Sequence, residues 1–257
     1  MLRNKGIKVY TMYLEKNIHF FSKFITLIRI LKKEKAAIIQ TWMYHADLIG
    51  GIAALISGNQ KIIWGIRNST LDYKKSKILT ILIVRINSLL SYFIPSSIIS
   101  CSNKALEVHK SIGYCANKMS VIANGFNLNN FSIDNKVREE FRSLIGIDSN
   151  TYLLGMVARF DKQKDHITFI KAMHELTKHQ IKFKCILVGN GLDIKNKLLK
   201  MWINDYNLSE NIILLGAQES IYKIMNALDI HILSSAYGEA FPNVLAEAMA
   251  CGTPCIT

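Results

Sequence analysis

The sequence predicts an α/β protein built of two parallel sheets, each covered by helices. Three observations carry that reading. Short β-branched runs alternate with longer segments of helical period along nearly the whole chain. The alternation pauses once, at the polar, turn-rich stretch 129–135, and then restarts. The charge divides at the same place, because residues 1–130 carry 18 Lys and Arg against 5 Asp and Glu, whereas residues 131–257 carry 14 of each.

The first unit opens with residues 6–14, which read as a strand, and 18–34, which read as an amphipathic helix with Phe21, Phe24, Ile25, Ile28 and Leu31 on its apolar face. A strand at 37–41, a helix at 46–57 stopped by Gly58, a strand at 61–66 and a long helix at 73–93 follow. Strand 97–101, helix 103–112 ended by Gly113, and strand 119–122 complete the unit before Asn124-Gly125. Beyond the linker, helix 137–144 precedes strand 152–158, helix 166–179, strand 184–188, helix 194–206, strand 212–214, helix 221–227 and strand 230–233. A helix from Pro242 to Ala250 and an apolar run at 254–257 come last. Crossovers of a dozen or more residues between successive strands require parallel pairing. The simplest architecture is two domains, 1–132 and 133–257, with ligands at the carboxyl ends of the strands, in a cleft that the two sheets face.

Composition narrows the function classes. A chain of 257 residues that is half apolar and 20% charged excludes intrinsic disorder and collagen-like repeats. The net charge of +13 sits wholly in the first half and calls for an anionic partner there: nucleic acid, phospholipid headgroups or a phosphorylated substrate. Five cysteines without a C-x-x-C pair read as buried free thiols in a reducing compartment. The first ten residues hold no apolar core of signal-peptide length, so export is not indicated and a cytoplasmic location is expected. Residues 78–94 are the most lipophilic stretch, yet they are short for a membrane span and carry Arg85 and Asn87, which makes them a buried or interfacial helix. No strand and glycine-rich turn precede Gly6, and the last strand stops at Thr257, so the reading expects a fold incomplete at both termini.

The chemistry concentrates in residues 234–254. Strand 230–233 empties into a loop that holds Glu239, and Pro242 takes the favoured first position of a helix whose second turn holds Glu247. The open amides of that first turn make an anion site, and a carboxylate accepts paired hydrogen bonds from the vicinal hydroxyls of a sugar or ribose. Gly155 to His166 places Arg159 and Lys164 five residues apart on the loop after a strand, suited to neutralising a departing diphosphate. Gly189-Asn190-Gly191 closes the next strand. In the first half, Gln40 to Leu48 brings His45 to a helix start, Arg67-Asn68-Ser69 ends a strand, and Cys101-Ser102-Asn103 ends another with Ser102 as a helix cap.

The segment Glu239 to Pro254 resembles the E-x7-E signature of the retaining glycosyltransferase family 4, enzymes of GT-B fold with two Rossmann-like domains across a cleft. Glu239 and Glu247 match its acids, and the Phe241-Pro242-Asn243 loop and the Glu-Ala-Met-Ala-x-Gly-x-Pro continuation match as well. The resemblance implies that Glu239 contacts the transferred sugar, that the backbone around Phe241, Pro242, Asn243 and Val244 binds sugar and diphosphate, and that Glu247 holds the ribose hydroxyls. It implies further that Arg159 and Lys164 stabilise the leaving diphosphate in place of a metal ion, that Gly189 and Asn124 lie on the donor side, and that His45 points toward the donor sugar. No metal or other cofactor is expected.

The implied reaction moves a sugar from a nucleotide-sugar donor, read as a UDP-sugar, to a glycan or lipid-linked saccharide with retention, in bacterial surface polysaccharide synthesis. The basic half would then receive the acceptor against an anionic membrane surface, peripherally on its inner face, through Lys23, Arg29, Lys32, Lys33, Lys35, Lys74, Lys75, Lys77 and Arg85. Two other readings stay open, a non-catalytic remnant of such an enzyme and a basic nucleic-acid-binding protein. No zinc, helix-turn-helix or RNA-binding signature accompanies the charge, and nucleic acid is not the expected partner.

Overall fold

The computed structural model describes residues 3–12, 20–59, 61–69, 78–128 and 130–257. They form two compact units that divide between Ala123 and Asn124. In the first unit, β1 (Ile39–Trp42), β2 (Ile62–Ile66), β3 (Ser97–Ser100) and β4 (Met119–Val121) pair in parallel in that order. The helices are α1 (Phe20–Glu34), α2 (Tyr44–Ile56), α3 (Ile78–Leu90) and α4 (Asn103–Ile112). Each crossover steps to the next strand in one direction, so right-handed connections set α2, α3 and α4 on one face of the sheet. Neighbouring helices pack in chain order, α1 on α2, α2 on α3 and α3 on α4. Ile62, Trp64, Ile66 and Ile98 are fully buried beneath them. Ser102 caps α4 by accepting a hydrogen bond from the Ala105 amide at 3.2 Å, and Gly113 ends it at φ 106°.

Several expectations shift in this unit. Residues 6–12 form no strand, and 13–14 lie outside the described residues. The alternation of Ile7, Val9 and Tyr10 leaves all three exposed, while Lys8 and Tyr10 turn to Glu34 of α1 at 2.9 and 2.6 Å. Alternation makes a strand only where a neighbouring strand accepts its backbone. In α1 the covered face is Phe24, Leu27, Ile28 and Leu31, whereas Phe21 and Ile25 point outward, 79% and 47% exposed. Helix α2 begins at Tyr44, two residues earlier than the pattern suggests. Helix α3 runs from Ile78, and the helical reading of 73–77 lies outside the described residues. Among the described residues no helix is long and apolar enough to cross a membrane.

The second unit holds α5 (Asn135–Leu144), β5 (Tyr152–Val157), α6 (His166–Thr177), β6 (Phe183–Val188), α7 (Lys197–Asp205), β7 (Ile212–Gly216), α8 (Ile221–Ala227), β8 (Ile230–Ile232), α9 (Asn243–Ala250) and β9 (Cys255–Ile256). Its parallel sheet has the order β7-β6-β5-β8-β9. The chain winds outward from β5 to β7, returns to β8 on the other side, and so makes its switch point between β5 and β8. One core packs Met156, Phe169, Ile170, Leu187 and Leu199 between the sheet and α6 and α7. The other packs Leu153, Ile186, Ile224, Met225 and Ala248 beneath α8 and α9.

Helix α5 belongs to this unit. Asp134 caps it by accepting from the Val137 amide at 3.0 Å. Its Arg138 and Arg142 both reach Asp229, and Arg142, almost wholly buried, also donates to the carbonyls of Ala227 and Asp148 at 3.1 and 2.9 Å. Burial alone would raise the Asp229 carboxyl, but the Leu153 amide and the two guanidinium groups hold it below its ordinary range. All five cysteines are free; Cys101, Cys185 and Cys251 are buried and Cys115 and Cys255 half-buried.

Candidate functional site

The switch point of the second sheet is where the sequence motifs converge. The chain leaves β5 through Ala158 and Arg159, makes a 3₁₀ turn at Lys162–Lys164, and enters α6 through Asp165 at φ 50°. The loop after β8 is stitched to it. The Ala236 amide donates to the Gln163 carbonyl at 2.9 Å, and the Ser234 hydroxyl donates to the carbonyls of Lys164 and Asp165, each at 2.9 Å. Across this seam Lys164 and Glu239 form a close ion pair, and Ser235 donates to the same carboxylate oxygen at 2.8 Å. The Lys164 side chain is only 12% exposed, so this ammonium and carboxylate meet where water screens them little.

Arg159 sits at the rim of the same loop, more than half exposed, held by Gln163 Oε1 at 3.1 Å and Asp161 Oδ2 at 3.5 Å. Backbone contacts fix the floor. Gly189 adopts φ 145°, and a Cβ there would lie 1.9 Å from the Ala158 carbonyl oxygen, so glycine alone admits this approach of β6 to the loop after β5. The identity of Gly189 is thus set by backbone packing.

Helix α9 supplies the third wall. Pro242 is its N-cap rather than its first helical residue, one position earlier than expected, and no side chain caps the helix start. Asn243 is exposed at the first turn and accepts from the Asn124 side chain at 2.6 Å. Phe126 stacks on Phe241 with ring centroids 5.9 Å apart, which lays the 124–126 segment against the helix start. Val244 has its side chain in contact with both cores, which leaves its backbone as the part able to meet a ligand. Glu247, half-buried one turn further, lines a cavity of about 590 Å³ with Asn130, Ser132, Asp134, Glu219 and Tyr222. Burial pushes its carboxyl above the ordinary glutamate range.

The structure therefore brings together Arg159, Lys164, Gly189, Glu239, Phe241, Pro242, Asn243, Val244, Glu247 and Asn124 within one unit. His45 belongs to the other unit, exposed in the first turn of α2 at the carboxyl end of β1. Sequence reading missed its buried neighbour Asp47, which accepts from the Thr41 hydroxyl at 2.5 Å. Burial pushes that carboxyl up to about 7, against the Thr41 hydroxyl and Gly65 amide that favour its charge. It also gave no role to Ser235, Gln163 or the cavity residues at 219–222. Ser235 was legible as the serine nearest Glu239 in sequence, whereas the contribution of 219–222 depends on a fold contact with α9 that no local pattern encodes.

Residues 3–130 match the family model described as Glycosyltransferase Family 4, and residues 137–257 the one described as Glycosyl transferases group 1. The chain is 27% identical over 235 residues to the UDP-Gal:alpha-D-GlcNAc-diphosphoundecaprenol alpha-1,3-galactosyltransferase of Escherichia coli, a match covering 90% of this chain and 60% of that protein. It is 24% identical over 255 residues to the capsular polysaccharide biosynthesis glycosyltransferase CapM of Staphylococcus aureus, covering 95% of this chain and 65% of that one. The solved structure of Anabaena Alr3699/HepE in complex with UDP-glucose matches with a TM-score of 0.83 at 23% identity, over 99% of this chain and 68% of that chain. The chain thus spans 60% and 65% of the length of these two curated relatives. Its two parallel-sheet units, matched in turn by the two family models, make it a protein of GT-B fold related to the family 4 and group 1 glycosyltransferases.

Proposed function

We propose that the chain is the greater part of a retaining glycosyltransferase that moves a sugar from a UDP-sugar to a glycan or lipid-linked saccharide in surface polysaccharide synthesis. The observation that carries this is the Lys164–Glu239 pair, drawn between two strand-end loops at a sheet switch point and flanked by an uncapped helix start and the Glu247 cavity. A nucleotide sugar needs a cation and helix amides at its diphosphate, a carboxylate at its sugar and another at its ribose, and this grouping offers each. The relatives named for galactosyl transfer to a diphosphoundecaprenol-linked sugar and for capsular polysaccharide synthesis support the acceptor class.

In this reading the donor diphosphate lies over the start of α9. Charge that builds on the departing UDP is met by Lys164, by Arg159 swung in from the rim, and by the open amides at Asn243 and Val244. Glu239 contacts the transferred sugar, Glu247 the ribose, and Asn124 steadies Asn243. Gly189 keeps the floor close, and His45 of the basic unit is assigned to the donor sugar. The expected boundary at 132 moves to 123, because Asn124 and the segment after it pack on the second unit; the unit up to Ala123 holds the acceptor at an anionic membrane face, and the unit from Asn124 holds the donor.

Donor turnover tests the proposal. UDP release is measured across a series of UDP-sugars with a lipid-linked saccharide present. Glu247→Ala is expected to weaken UDP-sugar binding about tenfold, and Lys164→Ala to slow turnover about 100-fold. Wild-type binding and turnover in both variants would refute the assigned roles.

A further inference from the structure

The helix layer of the first unit presents a face that its own sheet cannot cover. Helix α3 buries Ile83, Val84, Asn87 and Ser88 on its inner side. Its outer side, with the turn that follows, carries Leu79, Leu82, Ile86, Leu89 and Phe93, which are 36–81% exposed. These positions recur at intervals of three and four and form one stripe pointing away from the strands. Scattered surface leucines need no explanation, but four large apolar side chains on one side of a short helix and a fifth in the turn beyond it do.

The charge around the stripe says what covers it. Arg85 lies on the same outer side. At the far end Lys118 donates its ammonium to the Tyr92 carbonyl at 2.7 Å. From Ile78 to Lys118 the chain carries Arg85, Lys104, Lys110 and Lys118 against one acid, Glu107, which is paired with Lys110 at 3.0 Å. An apolar stripe in a basic surround matches the boundary of an anionic bilayer, where acyl chains take the stripe and phosphates take the cations. A second copy of this chain would bring the same positive surface against itself.

We propose that the outer face of α3 is a lipid-docking surface that seats the basic unit on an anionic membrane. This rests on the reading of a lipid-linked acceptor given above, and it adds which surface meets the bilayer.

Flotation with phosphatidylcholine vesicles, with and without phosphatidylglycerol, tests it. The wild-type chain is expected to float with the anionic vesicles. The double variant Leu82→Ser, Leu89→Ser alters only exposed side chains; it is expected to keep the wild-type circular dichroism and bind about tenfold more weakly. Arg85→Glu is expected to lose the preference for phosphatidylglycerol. Unchanged flotation of both variants, or equal binding of the wild type to both vesicle types, would overturn the proposal. So would a concentration-dependent dimer in sedimentation that the double variant abolishes. UDP release with a water-soluble acceptor and no vesicles separates this from the transfer reading. Turnover without flotation overturns docking alone, whereas stripe-dependent flotation without turnover supports docking and overturns transfer.

Discussion

At the residue scale, Lys164 and Glu239 neutralise one another. On the proposed reading, a diphosphate takes Lys164 from a carboxylate that already holds it. Glu239→Gln keeps the shape, removes the charge, and is expected to tighten binding of inorganic pyrophosphate about tenfold in calorimetry; no change would mean that the pair does not guard the anion site. Asp47 gives a pH signature in the other unit. Its folded carboxyl titrates near 7 instead of 3.8, so between those values only the folded state holds the proton. Stability is then full below about pH 4, falls by about 4 kcal/mol as pH rises to about 7, and is flat above. Asp47→Asn still accepts from Thr41 and is expected to flatten that slope in urea melts; an unchanged slope would place the titration elsewhere. The motif acids, Arg159 and Lys164 were legible because their spacing is local. Asp47 was not, since a carboxylate in the first turn of a helix looks like a surface charge until the sheet closes over it.

At the element scale, periodicity located most helices and strands but not their partners. The strand expected at residues 6–14 failed for want of a neighbour over its described part, and α1 turned Phe21 and Ile25 outward because α2 meets only one side of it. The turn after β6 is the reverse case. In sequence Gly189-Asn190-Gly191 closes a strand; in the fold its first glycine is demanded by the Ala158 carbonyl, a contact between two strand ends. Gly189→Ala joins a 1.9 Å clash to an unfavourable φ and is expected to cost about 3 kcal/mol or more, with a matching fall in the denaturation midpoint. A midpoint within error of the wild type would show that the loop after β5 has room to retreat.

At the scale of the whole molecule, the break in β/α alternation and the change in charge balance were enough to foresee two units. The structure adds a separate core in each, Trp64 and Ile98 in the first, Met156 and Ile186 in the second. Damage to one core is therefore expected to act first within its own unit. In hydrogen exchange, Gly189→Ala is expected to speed exchange throughout β5, β6 and β8 while β2 and β3 keep wild-type protection; loss of protection in both sheets would mean that the units unfold as one. The seam at the switch point also sets a schedule for synthesis. Glu239 follows Lys164 by 75 residues and Asn243 follows Asn124 by 119. At about 5–20 residues per second, Lys164 waits roughly 4–15 s on the ribosome for its partner. Strands β5 to β7 precede Glu239 in the chain, so the proposed donor site assembles after this flank of the sheet, and a stall in translation after β7 leaves the flank without its Lys164–Glu239 pair.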